Sequence, residues 1–125
     1  MKEQTQRQLR VGEEIRHALA RIFERGDIRD PDLAGVRLTI TEVRLSPDLR
    51  NATVFFVPLL GKADIPAVLQ GLKRIKGYLR HQLAGAVKMR MVPDLRFASD
   101  ETFEEAAHIN NLLHLPQVAR DIEQG

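Results

Sequence analysis

Between residues 65 and 83 the sequence places Ile65, Val68, Leu69, Leu72, Ile75, Leu79 and Leu83 at three- and four-residue steps, the stripe of a core-facing helix. A straight helix through this segment would carry Lys76 inside the stripe, so the helix must change direction or the lysine stem must reach out to water. Gly77 follows at once, and glycine ends one helix and begins another at little cost. The spacing predicts two helices, 65–76 and 78–86, with a kink at Gly77. Asp64 is placed to cap the first, and Pro66 suits its opening turn.

The flanking segments fix what these helices pack on. Residues 5–25 read as an amphipathic helix with Val11, Ile15, Ala18, Leu19 and Ile22 on one face, stopped by Gly26. VRLTITEVRL (36–45) alternates like a strand, but its apolar phase slips after Ile40, which predicts a bulge near Thr41 and Glu42. A turn over 46–51 leads into a second strand, 52–60, in which Phe55 and Phe56 read as core. A third strand is expected over 87–97, with Lys88 and Arg90 alternating against Met89 and Met91 and a bend at Pro93. Ser99 or Asp100 can cap a last helix, 101–115, ahead of a loose tail, 116–125. This order is that of one α+β domain spanning 1–115. A chain of 125 residues with 43% hydrophobic content can bury a core unaided, and with no cysteine it has no disulfides to lean on. No apolar run is long enough for a membrane span, so the expected protein is cytoplasmic, monomeric and without membrane contact.

Charge narrows the function classes. The formal charge is only +2, but it is unevenly spread: residues 65–93 hold six bases and no carboxylate, whereas residues 94–125 hold two bases and seven acids. The bland reading of the basic stretch is a solvated helix face; the sharper one is a polyanion-binding patch. Lys73, Lys76 and Arg80 bracket the kink with Arg74 beside them, and Lys88 and Arg90 follow. Arginine outnumbers lysine by 14 to 5, and a guanidinium can grip phosphate oxygens with two bonds. The N–H groups of a helix starting after Gly77 would add a phosphate seat.

Catalysis finds less support. Ser46 and Ser99 lie in no nucleophile elbow, and His17, His81, His108 and His114 lack metal-ligand spacing. Asp48, Asp64 and Asp94 could meet around Mg²⁺ in a small RNA nuclease, although each has a cheaper role in a turn or a cap. A third class is a protein-protein adaptor that uses the acidic C-terminal third. No cofactor or metal is expected.

The blocks RQLRVGEEIRHALARIF (7–23), RDPDLAG (29–35), TITEVRLSPDLRNATVFFVPL (39–59) and GYLRHQLAGAVKMRMVPDLRF (77–97) resemble the bacterial ribosome-binding factor A family. The resemblance covers about residues 5–115, and it implies a type II KH-like domain with an additional C-terminal helix. It implies a non-enzymatic factor that binds 16S rRNA on the free 30S small ribosomal subunit, with ribosomal proteins as further partners, and assists late maturation including the 5′ end and cold adaptation. The family carries Ala-x-Gly at its helix junction; this chain reads Ile75-Lys76-Gly77. Matching position by position, the resemblance puts Gly77 at the kink, Arg80 just after it, Lys88 and Arg90 on the third strand, and Arg7 and Arg10 at the basic start of the first helix. The candidate RNA-binding set is therefore Arg7, Arg10, Lys73, Arg74, Lys76, Gly77, Arg80, Lys88 and Arg90.

Overall fold

The computed structural model describes residues 3–58 and 64–100. The expected last helix over 101–115 and the tail over 116–125 lie outside the described residues. The elements are α1 (Gln6–Glu24), β1 (Leu38–Leu45), β2 (Asn51–Pro58), α2 (Ile65–Arg74), α3 (Lys76–Ala86) and β3 (Asp94–Ser99). The sheet order is β1-β2-β3, antiparallel between the first pair and parallel between the second. Helix α1 packs on β1 and α3, while α2 and α3 pack on β3, so the helices share one face of the sheet. Ile15, Leu19, Ile22, Val54, Phe56, Leu72, Leu79, Leu83 and Leu95 form the water-free centre of the core between them.

Helix α1 begins in a capping box: the Thr5 hydroxyl accepts from the Gln8 N–H at 3.1 Å, and the Thr5 N–H donates to Gln8 Oε1 at 2.8 Å. The buried Gln8 amide also donates to the Leu45 carbonyl at 2.7 Å, and Gln4 pairs with both backbone groups of Leu45. These bonds pin the first turn of α1 against the end of β1. Further along, α1 crosses so close to the strand that a Cβ on Gly12 would lie 2.5 Å from the Val43 carbonyl oxygen. A glycine that costs helix propensity is thus what lets helix and strand approach. The register slip expected near Thr41 is present between Ile40 and Glu42.

Three sequence expectations change. The helix junction falls on Ile75, with φ −94° and ψ 8°, and not on Gly77. Ile75 packs half-buried against the core, so side-chain burial sets the turn, while Gly77 sits inside α3 with open space around it. The third strand starts at Asp94, because Pro93 has no N–H to give a ladder and pairing with β2 opens at Asn51 and Asp94. Lys88 and Arg90 consequently stand on an irregular α3–β3 connection, and Ser99 is a strand residue. Finally, Phe56 is fully buried but Phe55 is only half-buried, since neighbouring strand residues point to opposite faces.

The α1–β1 connection is clipped to the end of α2. The Arg74 guanidinium holds the Asp30 carboxylate with two bonds, 2.8 and 2.9 Å, and also binds Asp32. Gly71 makes room for this, since a Cβ there would meet Leu33 and Asp30 within 3 Å. The Arg74 bonds, with help from the Asp32 N–H, hold Asp30 below the usual carboxylate range. A depressed folded-state pKa stabilises above the unfolded value of 3.8 and loses that contribution as pH falls through the folded value. The urea midpoint of Asp30→Asn is therefore expected to lie below wild type at pH 7, and the gap to close progressively below pH ~4. A gap that stays constant between pH 7 and pH 3 would remove the clip from the account.

Candidate nucleic-acid interface

The hydrogen bonds at the start of α1 bring Arg7 and Arg10, one turn apart on its exposed side, beside the β1–β2 turn. That turn is closed by its own polar groups. Ser46 Oγ donates to Asp48 at 2.7 Å, Asp48 accepts the Arg50 N–H, and the Asn51 N–H donates to Ser46 Oγ at 3.0 Å. The Ser46 hydroxyl and the Arg50 N–H keep the Asp48 carboxyl below its ordinary range. Leu49 adopts φ +60°, the left-handed region, between these bonded residues. The third wall is the connection from α3 to β3.

Arg80 shapes that connection. Its Nε donates to the Pro93 carbonyl at 3.1 Å and its Nη2 to the Val92 carbonyl at 2.9 Å, so one planar group ties two successive carbonyls to α3. Lys76 anchors the next residue through a 3.2 Å ion pair with Asp94. The Asp94 N–H in turn donates to the Arg50 carbonyl at 2.8 Å, which joins the connection to the hairpin turn.

The three walls enclose an open groove of about 900 Å³. Arg7, Arg10, Arg50, Lys88 and Arg90 line it, against only Glu14 and Asp48. Val11, Leu49, Met89, Met91 and Pro93 supply the apolar part of its lining. Five cations around one concavity, with few carboxylates to neutralise them, make a focused positive field suited to a phosphate chain.

The nominated residues thus divide. Arg7, Arg10, Lys88 and Arg90, drawn from segments far apart in the chain, meet in the groove. Lys73 is exposed on α2, outside the groove lining, as is Gly77 on α3. Arg74, Lys76 and Arg80 bind partners within the chain. If the groove holds a phosphate chain, Arg80→Gln is expected to weaken that binding a few-fold, to speed amide exchange over 88–93, and to leave the salt dependence of binding unchanged. A phosphate ligand would instead lower the log-log salt slope by about 0.7–0.9 when removed.

Among the described residues no three His, Asp or Glu side chains gather as a metal site. Asp64 caps α2 through the Ala67 N–H at 3.2 Å, Asp48 closes the hairpin turn, and Asp94 pairs with Lys76. No helix among the described residues is long and apolar enough to cross a membrane.

A family model described as ribosome-binding factor A matches residues 7–113, nearly the whole described structure and more. The chain belongs to the ribosome-binding factor A family. A relative of that name from Paramagnetospirillum magneticum is 58% identical over 119 residues, covering 95% of this chain and 83% of the relative. The crystal structure of ribosome-binding factor A from Thermus thermophilus superposes with a TM-score of 0.61 at 28% identity, covering 74% of this chain and 93% of that one. A homology model of the Thermus thermophilus factor, fitted into a cryo-EM map of a 30S complex, gives a TM-score of 0.57 at 27% identity, over 72% and 91% of the two chains. The name of the family is that of a binding factor, and it points to no catalytic activity.

Membership does not by itself locate the groove. Arg50, Leu49 and Glu14 were not legible as site residues, because each stands in a local context with a plain structural reading: a turn, a turn and a helix face. No local signal singles out Arg50, since bases are spread through the N-terminal half and a nearly equal complement of acids offsets them.

Proposed function

We propose that this chain binds the free 30S small ribosomal subunit through 16S rRNA laid in the basic groove, and assists late rRNA maturation without making or breaking bonds. The observation that carries the reading is the convergence of Arg7, Arg10, Arg50, Lys88 and Arg90 on one concavity. Its support from outside the chain is a family whose Thermus thermophilus member has been fitted into a 30S complex. An element order of helix, two strands, two helices and strand is compatible with a type II KH-like domain, which favours an RNA-facing role.

The described residues of the groove offer cations and backbone, and the work this reading gives them is differential binding. A groove that fits one rRNA conformation better than another shifts the population toward the fitted one by its difference in affinity. Assistance with 5′-end maturation and with assembly in the cold follows if the favoured conformation is the one that processing needs. Monomeric action in the cytoplasm suffices for this.

The test is sedimentation. The protein is expected to travel with free small subunits and not with full ribosomes. Neutralising about five phosphates gives a log-log salt slope near −3.5 on single-stranded segments. Equal attachment to full ribosomes, or binding that ignores salt, would remove the reading.

A further inference from the structure

We infer that the groove takes an unpaired stretch of RNA, with a nucleobase lying against the apolar lining residues Leu49 and Met91 while the cations hold the flanking phosphates. The inference rests on the rRNA-binding reading above and names the kind of RNA that the groove selects.

A surface built only to hold duplex RNA meets phosphates and 2′-hydroxyls, because the base faces are stacked away. Such a surface has no use for exposed apolar side chains. Here Met91 is 55% exposed at the groove, one of the largest exposed apolar groups among the described residues. It stands beside Val11, Met89 and Leu49. An unbranched, polarizable thioether adapts to a flat ring of any identity.

Leu49 is the second, independent observation. Among the described residues it is the only non-glycine residue at positive φ, where asparagine or glycine would sit more easily. The closed turn over 46–51 holds it there: Asp48 accepts from the Ser46 hydroxyl and the Arg50 N–H, and Ser46 Oγ accepts from the Asn51 N–H. A further bond from the Leu49 N–H to the Ser46 carbonyl at 2.9 Å completes the restraint. Part of the side chain packs on the core and the rest lines the groove. A leucine kept in a conformation that disfavours it, in the lining of a groove that also holds five cations, points to a position that makes contact.

Glu14 agrees with this placement. A carboxylate in the lining repels phosphate but accepts hydrogen bonds from the amino and imino groups on base edges. It therefore favours a base, and not backbone, at its end of the groove.

The full chain is titrated with an unstructured RNA decamer and with a blunt duplex of the same sequence, followed by fluorescence anisotropy. Single-strand affinity is expected to exceed duplex affinity by about tenfold or more. Met91→Ser is expected to cut single-strand affinity roughly three- to tenfold, and Leu49→Asn, which keeps the left-handed turn, to do the same. Met91→Leu should restore binding, and duplex affinity and the salt slope should not move. Equal affinity for strand and duplex, no measurable binding of either, or a neutral Met91→Ser variant would overturn the inference. A neutral Arg10→Glu, Lys88→Glu variant would overturn the rRNA-binding reading itself, so the two failures are distinct.

Discussion

Arg10→Glu combined with Lys88→Glu is expected to lower affinity for free small subunits by about two orders of magnitude. Each reversal removes a charge-assisted contact to phosphate and installs a repulsion; at roughly 1.4 kcal/mol per site, each is worth about tenfold. Both side chains are exposed, so the fold should be unaffected. Co-sedimentation on gradients measures the loss, and the thermal transition confirms that the variant is folded. Lys73→Glu is the contrasting case. It lies in the stretch without carboxylates but outside the groove lining, and is expected to cost no more than a few-fold. Equal losses at Lys73 and at Arg10 with Lys88 would mean that net charge, and not the groove, governs binding.

Gly12→Ala is expected to destabilise the fold although alanine is the better helix former by about 1 kcal/mol. The new Cβ would stand 2.5 Å from a backbone carbonyl of β1, which cannot swing aside as a side chain can. Separating α1 from the sheet would disturb Ile15, Leu19 and the bonds of Gln8 to Leu45 together. Overpacking of this kind costs about 1–3 kcal/mol, a fall in Tm of roughly 5 °C per kcal/mol for a chain of this size. Far-UV circular dichroism against temperature reads it. Gly77→Ala is the control: in open space inside α3, it should leave Tm unchanged or raise it. A stable Gly12→Ala variant would show that the helix can move off β1 cheaply. The same displacement would move Arg7 and Arg10, so loss of stability and loss of RNA binding are expected to appear together in this variant.

The contrast between the two glycines shows how far reading along the chain can go. Helical spacing identifies α1 and the paired α2 and α3, and the slip in apolar phase identifies the bulge between Ile40 and Glu42, because side-chain period reports local backbone geometry. The same reasoning misplaced the junction by two residues. Glycine is permitted to turn, but nothing in a permissive residue states that it must; the burial of Ile75 does. The alternation from Lys88 to Met91 mimicked a strand for a similar reason. Whether a segment joins a sheet depends on a partner with free N–H and C=O groups, and pairing with β2 began only beyond Pro93.

The α+β class, the order of the elements within the described residues and membership of the ribosome-binding factor A family were determined by the sequence itself, since periodicity, caps and ordered motif blocks are properties of neighbours in the chain. Which cations are committed inside the fold was not. Arg74, Lys76 and Arg80 look the most available in the sequence, lying in its one long stretch without a carboxylate, yet folding brings Asp30, Asp32, Asp94 and the 92–93 carbonyls to them. Arg7, Arg10, Arg50, Lys88 and Arg90 are scattered over most of the chain, and only tertiary structure gathers them around one groove. Charge acts through space at distances of a few ångströms, and a linear sequence carries no record of which distant residues will be that close.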